Sequence, residues 1–284
     1  MLLKEVKRVF IHIRWSLQTY TLLGFLFGLI IAKVVFGINV LFALLSIFLL
    51  WSGVTLFNSY YDKDDKPVAG LKNPPKVNKS LFYGSIIFKL LALILALFIN
   101  KIFLALTIIT IILSFLYSHR FFRFKSNGFV ALFFNFIAGF LTFLSASSLS
   151  NLSLLKYNIL LGSFSSGFFL MSIYLMMQVH QIKDDKERGD ISYALMFGRN
   201  RALITSILFL ILAGLFGLTS LYLSSLLFQL FILVAYMIIG LLLVIFWIRD
   251  KNSKREFDSM SKVTNYFSFV GTFILLILYI IQSI

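Results

Sequence analysis

Apolar runs of roughly 20 residues, long enough to cross about 30 Å of hydrocarbon as helices, recur along this sequence of 284 residues. The runs are too continuous for the alternation of a barrel strand, and an open sheet cannot cross lipid. The sequence therefore predicts an all-α polytopic membrane protein with nine transmembrane helices. Their predicted bounds are near 16–36, 40–57, 81–99, 102–118, 128–147, 158–179, 202–222, 226–247 and 265–283.

The composition agrees with a membrane protein, since 60% of the residues are hydrophobic and 13% are charged. The absence of cysteine excludes a disulfide scaffold and a thiolate metal site. A net charge of +15 would indicate nucleic-acid binding in a soluble protein. In a chain this apolar, basic residues instead mark loops beside an anionic cytoplasmic leaflet. We therefore expect a lipid bilayer, and no nucleic acid, as partner.

The basic residues are distributed unevenly between the two predicted sides of the membrane. Most of the 26 Lys and Arg residues fall in the N-terminal segment and in the loops after the second, fourth, sixth and eighth runs. Cytoplasmic loops are rich in such residues, so we expect a multi-pass plasma-membrane protein with a cytoplasmic N-terminus and an external C-terminus. Residues 1–14 mix charges with apolar residues at helical spacing, which predicts a short interfacial helix.

All 11 acidic residues fall on the same predicted side as the basic loops, most of them in two clusters, at 62–65 and 184–190. Polar chemistry on one face favours an enzyme or a receptor of membrane-borne ligands over a channel. In the first cluster, Asn58, Asp62 and Asp65 share one helical face. Stacked carboxylates repel unless a cation joins them, and oxygen ligands suit Mg²⁺.

The second cluster repeats this arrangement at the end of the sixth run. Gln178, Gln181 and Asp185 are spaced three and four apart, on one helical face. Gly189 is expected to end that helix. Such charges can be solvated loop residues, but polar groups at span ends with helical spacing favour a functional site.

The pattern Asn58-x-x-x-Asp62, the Pro- and Lys-containing loop after it, Tyr117-Ser118 before a basic loop, and the Gln178 to Asp190 segment resemble the UbiA superfamily of intramembrane prenyltransferases. In that family two Asp-rich motifs bind Mg²⁺ and the diphosphate of a polyprenyl donor. The resemblance implies catalytic roles for Asp62 and Asp185. It implies a metal site drawn from Asn58, Asp62, Asp65, Gln181, Asp184 and Asp185.

The resemblance also implies further site residues, and two positions depart from the family pattern. Diphosphate would be bound by Lys76, Tyr117, Arg123 and Lys125, and the substrate pocket would include Asn135 and Gln178. Lys66 and Gln181 stand where the family pattern has Asp.

Taken together, these features predict a single transmembrane prenyltransferase-like domain over 1–284, with its helices around a central cavity. Its predicted activity is Mg²⁺-dependent transfer of a polyprenyl group from an isoprenoid diphosphate to a lipid-soluble acceptor, such as an aromatic quinone precursor, at a cytoplasmic active site. The alternatives are a non-catalytic relative that binds isoprenoid lipids without a competent metal site, and a transporter. A transporter places ionisable groups at mid-membrane on interrupted helices, whereas here Lys89 is the sole mid-span charge and no span contains proline.

Overall fold

Helices make up most of the described chain, which comprises residues 2–250 and 255–283 of a computed structural model. The α-helices, in order, are α1 (Leu2–His12), α2 (Trp15–Ile31), α3 (Ile38–Asp62), α4 (Lys79–Leu97), α5 (Lys101–Ser118), α6 (Gly128–Ser147), α7 (Tyr157–Gln178), α8 (Ile182–Arg188), α9 (Tyr193–Phe197), α10 (Arg199–Leu223), α11 (Leu227–Arg249), α12 (Glu256–Asn265) and α13 (Gly271–Ser283). Short 3₁₀ turns lie at Phe124–Ser126 and Val179–Gln181, and a short π-helix at Tyr266–Val270 joins α12 to α13. The prediction of an all-α polytopic fold is confirmed.

Within the described residues, eight helical segments are long and apolar enough to cross a membrane, so the predicted count of nine is wrong by one. The difference lies in the first predicted span, 16–36, where α2 is a helix of 17 residues. At 1.5 Å per residue, α2 is about 26 Å long and falls short of a hydrocarbon core of about 30 Å. The helix ends early because Lys33 adopts a left-handed conformation, with φ at 51°.

Despite its length, α2 lies at the centre of the bundle. Phe25, Leu29 and Ile30 are fully buried, and the helix packs against α6, α7 and α13. Gly28 permits the close contact with α6, since a Cβ there would lie 2.6 Å from the carbonyl oxygen of Phe143. Small residues at such points let membrane helices approach closely.

One end of the bundle carries the loops 63–78, 119–127 and 189–198, and we call it the polar end. Two helices finish there differently. The first, α3, stops at Asp62 because Lys63 is left-handed, with φ at 51°. In contrast, α7 continues through the 3₁₀ turn into α8, which ends at Gly189 with φ at 73°. The prediction that Gly189 ends this helix is confirmed.

The N-terminal helix α1 packs beside the loop 63–78 at the polar end. Its Glu5 accepts hydrogen bonds from Asn78, at 2.7 Å, and from Arg8, at 2.5 Å, and these two donors lower the pKa of the carboxyl to about 2. His12 Nε2 lies 2.8 Å from the carbonyl oxygen of Pro75. Burial lowers the pKa of His12, so the imidazole is neutral at pH 7 and donates that hydrogen bond.

Candidate functional site

A cavity of about 260 Å³ opens among the polar ends of α2, α3, α5, α6, α7 and α8. We call it the polar cavity. Side chains that carry charge or hydrogen-bonding groups are concentrated in its wall: Arg14, Asn58, Asp62, Asp64, Tyr117, Lys125, Asn135, Tyr174, Gln178, Gln181, Asp185, Arg188, Asp190 and Ser192.

The α3 side of the polar cavity presents Asn58 and Asp62, one helical turn apart. Lys125 reaches both from the 3₁₀ turn at Phe124–Ser126: its Nζ donates to Asn58 Oδ1 at 2.9 Å and also to Asp62 Oδ1. Ser118, the last residue of α5, donates to the same Asn58 oxygen at 3.0 Å. Three separate segments therefore fix this part of the wall.

The opposite side of the polar cavity presents Asp185 from α8. Arg188, one turn later, donates to Asp185 Oδ1 at 2.6 Å and lies 3.5 Å from Asp190 Oδ2. Arg123 also pairs with Asp190, at 2.9 Å. Arg188 and Asp190 were not among the predicted site residues, although Asp190 belongs to the second acidic cluster and Arg188 lies within it.

A buried ion pair closes the polar cavity next to α2. Arg14 donates to Asp64 Oδ2 and, at 2.8 Å, to Ser59 Oγ. Both charged side chains are almost fully buried, at 6% and 3% exposure. In the sequence, Arg14 belongs to the basic N-terminal segment, and only its place directly before the first apolar run hinted at a role.

Two acids of the predicted metal site lie outside the lining of the polar cavity. Because α3 ends at Asp62, Asp65 does not lie on the helical face that carries Asn58 and Asp62. Its Oδ1 accepts a hydrogen bond from the Val77 amide at 2.8 Å. Asp184 points away and pairs with Lys66 at 3.1 Å. The structure therefore does not bring Asp65 and Asp184 together with Asn58 and Asp62, as the predicted metal site would require.

Of the three basic residues predicted to bind diphosphate, one lines the polar cavity and two do not. Lys125 lines the polar cavity, whereas Arg123 lies beside it and reaches it only through Asp190. Lys76 is exposed and does not line the polar cavity.

The predicted pocket residues Asn135 and Gln178 line the polar cavity, and so does Tyr117, which was predicted to bind diphosphate. Asn135 Nδ2 donates to the carbonyl oxygen of Ala131 at 2.8 Å and lies 3.5 Å from the Tyr117 hydroxyl. Gln178 Oε1 accepts from the Ala194 amide at 3.2 Å, and the Gln178 side chain also interacts with that of Tyr174.

The mid-span cation, Lys89, lies in α4 behind the polar cavity. Its Nζ donates to Ser114 Oγ at 2.9 Å and lies 4.1 Å from the centroid of the Phe57 ring. Ser114 itself lines the polar cavity.

Across the described ranges, no three His, Asp or Glu side chains are grouped so that they could hold a metal ion by themselves. The carboxylates that line the polar cavity each pair with a cation of the chain. Mg²⁺ is usually bound through one or two carboxylates together with substrate phosphates. The oxygen donors of Asn58, Asp62 and Asp185 fit that mode of binding, in which substrate supplies the remaining ligands.

Beyond the polar cavity, a second and smaller cavity of about 60 Å³ lies in the apolar interior between α2, α6, α7, α10, α11 and α13, and we call it the inner tunnel. The two cavities share Tyr20, Thr21 and Leu170 in their walls, so they lie end to end. A polar chamber that leads into an apolar tunnel suits an amphiphile with a charged head and a hydrocarbon tail.

Solved structures with this fold include three that cover nearly all of the chain. A UbiA homologue from Archaeoglobus fulgidus is 16% identical over 97% of this chain and 99% of that one, with a TM-score of 0.77. A UbiA homologue from the same organism bound to GPP and Mg²⁺ is 18% identical over 93% and 99%, with a TM-score of 0.71. A digeranylgeranylglyceryl phosphate synthase is 19% identical over 99% of both chains, with a TM-score of 0.65.

At such identities, these structures establish a shared fold. No curated protein sequence matches the chain significantly. The profile of the UbiA prenyltransferase family, however, matches residues 21–270, which is most of the sequence. The resemblance predicted from the sequence motifs is therefore confirmed, and this protein belongs to the UbiA prenyltransferase family.

Proposed function

We propose that the protein transfers a polyprenyl group from an isoprenoid diphosphate to a lipid-soluble acceptor, in a reaction that requires Mg²⁺. The observation that carries this proposal is the polar cavity, where oxygen donors and cations meet at the mouth of an apolar tunnel. Relatives of the same fold from Archaeoglobus fulgidus bound to DMAPP and Mg²⁺ and to GPP and Mg²⁺ support it.

The charge balance of the polar cavity supports the following proposed roles for its residues. Asn58, Asp62 and Asp185 are the proposed metal-binding oxygens, with Gln181 as a neutral neighbour on the same wall. Lys125 and Arg188, which pair with Asp62 and Asp185 in the structure, are the proposed diphosphate-binding cations. When Mg²⁺ and diphosphate bind together, the carboxylates would face the metal and the cations would face the phosphate oxygens.

In the proposed reaction the C1–O bond of the donor breaks, and its electron pair leaves with the diphosphate. Lys125 and Arg188 stabilise the negative charge that grows on the leaving group, an effect strongest where water is excluded. Bound Mg²⁺ would add Lewis-acid stabilisation of the same oxygens. The acceptor then forms a bond to C1 and loses a proton. Apolar walls protect the allylic cation from hydrolysis.

The proposed acceptor is an aromatic quinone precursor or another lipid-soluble molecule. Tyr117, Asn135 and Gln178 are the proposed contacts for its polar group, because they line the polar cavity with uncharged polar side chains.

We further propose that the polar end faces the cytoplasm and the C-terminus lies outside, in the plasma membrane. Because the sequence contains no cysteine, single Cys variants at Lys66 and at Ser153 provide a direct test. An impermeant maleimide applied to intact cells should label Ser153→Cys and leave Lys66→Cys unlabelled. The opposite pattern would reverse the orientation.

The function itself is tested by diphosphate release from geranylgeranyl diphosphate, with and without Mg²⁺ and with a panel of quinone-precursor acceptors. We expect release that requires both the metal and one acceptor, with EDTA abolishing it. The absence of a preformed three-residue metal group in the described chain makes the isoprenoid-binding, non-catalytic relative the second candidate. Donor binding without release under every condition would favour that candidate.

A further inference from the structure

Lys89 is an ionisable side chain buried in the middle of the membrane helix α4, with 9% of it exposed. Its Nζ lies 2.9 Å from Ser114 Oγ and 4.1 Å from the centroid of the Phe57 ring. On α3, Gly53 makes room for this side chain, since a Cβ there would lie 2.8 Å from Lys89 Cγ. Ionisable residues inside a membrane are costly and usually mark a function.

The surroundings of Lys89 suit an amine that gains a proton and gives it up again. No carboxylate of the described residues lies beside it to hold a positive charge in place. A buried ammonium without such a partner costs free energy, whereas a neutral amine makes the same hydrogen bond to Ser114 without that cost. An ammonium that forms there for a short time is stabilised by the Phe57 ring and the Ser114 oxygen.

Ser114 connects Lys89 with the polar cavity, whose wall it lines. It lies one turn before Ser118 on α5, and Ser118 donates to Asn58 at 3.0 Å. Four residues of a helix extend about 6 Å, so Ser114 lies deeper in the membrane than the proposed metal-binding oxygens. C1 of a donor lies on this deeper side when its diphosphate is bound at Asn58 and Asp62.

We propose that Ser114 and Lys89 accept the proton that a phenolic acceptor loses after its ring bonds to C1. This inference rests on the proposed function. The ring C–H bond of the adduct breaks, its electron pair restores the aromatic ring, and its proton passes to Ser114 Oγ. The Ser114 hydroxyl proton, which the Ile111 carbonyl oxygen accepts at 2.7 Å in the structure, turns and passes to the lone pair of Lys89 Nζ. The ammonium returns this proton, through Ser114, to water that enters after the product leaves.

The order in which charges appear favours an amine without a carboxylate partner. While the donor C–O bond breaks, positive charge develops on C1 in the same cavity, and a neutral amine does not repel it. The positive charge moves from C1 to the adduct and then, with the proton, to Lys89 beside the Phe57 ring. Lys125 and Arg188, by contrast, pair with carboxylates and are the cations proposed to face the diphosphate.

The test compares two phenols, 4-hydroxybenzoate and 1,4-naphthalenediol, with their ring-deuterated forms as acceptors for geranylgeranyl diphosphate and Mg²⁺. In the wild-type protein proton loss is fast, so the deuterated and ordinary forms should be prenylated at the same rate. In Lys89→Met we expect kcat to fall by about 100-fold, and the deuterated form should react more slowly because breaking of the ring C–H bond then limits the rate. Ser114→Ala should show the same isotope effect. The KM for the donor in Lys89→Met should stay within about threefold, since Lys89 does not line the polar cavity.

Two further variants separate proton transfer from a structural role. Lys89→Arg keeps a positive charge, but a guanidinium is not deprotonated in proteins, so this variant should be as slow as Lys89→Met. Lys101→Met removes an exposed lysine at the other end of α5 and should keep wild-type kinetics. Wild-type kcat in Lys89→Arg would overturn the proposal, because a fixed charge would then suffice.

The remaining outcomes distinguish this proposal from the transferase proposal. Unchanged kcat in Lys89→Met, or a lower kcat without an isotope effect, would overturn the role in proton transfer and leave the transferase proposal standing. Failure of the wild-type protein to prenylate either phenol would also overturn the inference. Mg²⁺-dependent diphosphate release in the same reactions then shows whether the transferase proposal survives.

Discussion

The two acidic segments at the polar end are alike in sequence and different in structure. After Asp62 the chain turns at the left-handed Lys63, so Asp64 is carried inward to Arg14 and Asp65 outward to solvent. After Gln178 the chain stays helical as far as Arg188, so Asp185 remains on the wall of the polar cavity.

Helical spacing therefore locates a side chain only while the helix continues. The spacing of Gln178, Gln181 and Asp185 placed all three on the polar cavity, as expected. The same reasoning failed for Asp65, because it assumed that α3 continues beyond Asp62, where the helix ends. Acids that are neighbours in sequence thus divide into those that face the polar cavity and those that face solvent.

The largest expected effect comes from comparing Asp62 with Asp65. Asp62→Asn should lower Mg²⁺-dependent diphosphate release by about 1,000-fold, because it removes the charge of a proposed metal ligand and leaves Lys125 without its carboxylate. Asp65→Asn should change the rate by less than about threefold, because Asp65 lies outside the lining. Steady-state assays on matched preparations measure both. Similar losses in the two variants would show that the α3 segment acts as one unit.

Stability should reveal the role of Asp64, the acid that turns inward. Asp64→Ala is expected to lower the free energy of unfolding by about 3 kcal/mol, because Arg14 would be left buried without its carboxylate. The double variant Arg14→Met/Asp64→Leu should recover most of this loss. Denaturant titration in detergent measures the three proteins. An unchanged midpoint for Asp64→Ala would mean that the pair contributes nothing to stability.

Substitutions at the residues that end the two helices, Gly189 and Lys63, should have a smaller effect. Gly189 has φ at 73° and nothing within 4 Å of an added Cβ, so Gly189→Ala should cost about 1 kcal/mol through backbone conformation alone. Lys63 is left-handed without being glycine, so Lys63→Gly should stabilise the fold by less than about 1 kcal/mol. Thermal unfolding compares both with wild type, and shifts of the same sign would contradict these assignments.

The stability of the contact between α1 and the loop after α3 is expected to depend weakly on pH. The pKa of His12 lies below its ordinary value of 6.5 in the folded protein because the ring is buried. The unfolded chain therefore binds more protons, so this contribution to stability is complete above pH 6.5 and is lost as pH falls towards the folded pKa. The hydrogen-exchange protection of α1 amides, corrected for the intrinsic pH dependence of exchange, should fall as pH is lowered from 7.5 to about 5.5. In His12→Gln, this pH-dependent loss of protection should be absent.

Much of the fold and part of the candidate site followed from local patterns. The apolar runs gave the membrane helices, and the i, i+4 spacing placed Asn58 and Asp62 together. The ion pair of Arg14 and Asp64 did not follow, because it joins residues 50 apart in sequence and depends on the turn at Lys63. The inner tunnel was also beyond sequence reasoning, since its wall comes from six helices whose packing no single pattern encodes.

The most direct test uses two adjacent residues on α8. Asp185 is 5% exposed and lines the polar cavity, whereas Asp184 pairs with Lys66 away from the lining. Mg²⁺-dependent diphosphate release should be abolished in Asp185→Asn and stay within about threefold of wild type in Asp184→Asn. Equal rates in the two variants, whether both remain active or both are inactive, would contradict the proposal that the polar cavity is the site of prenyl transfer.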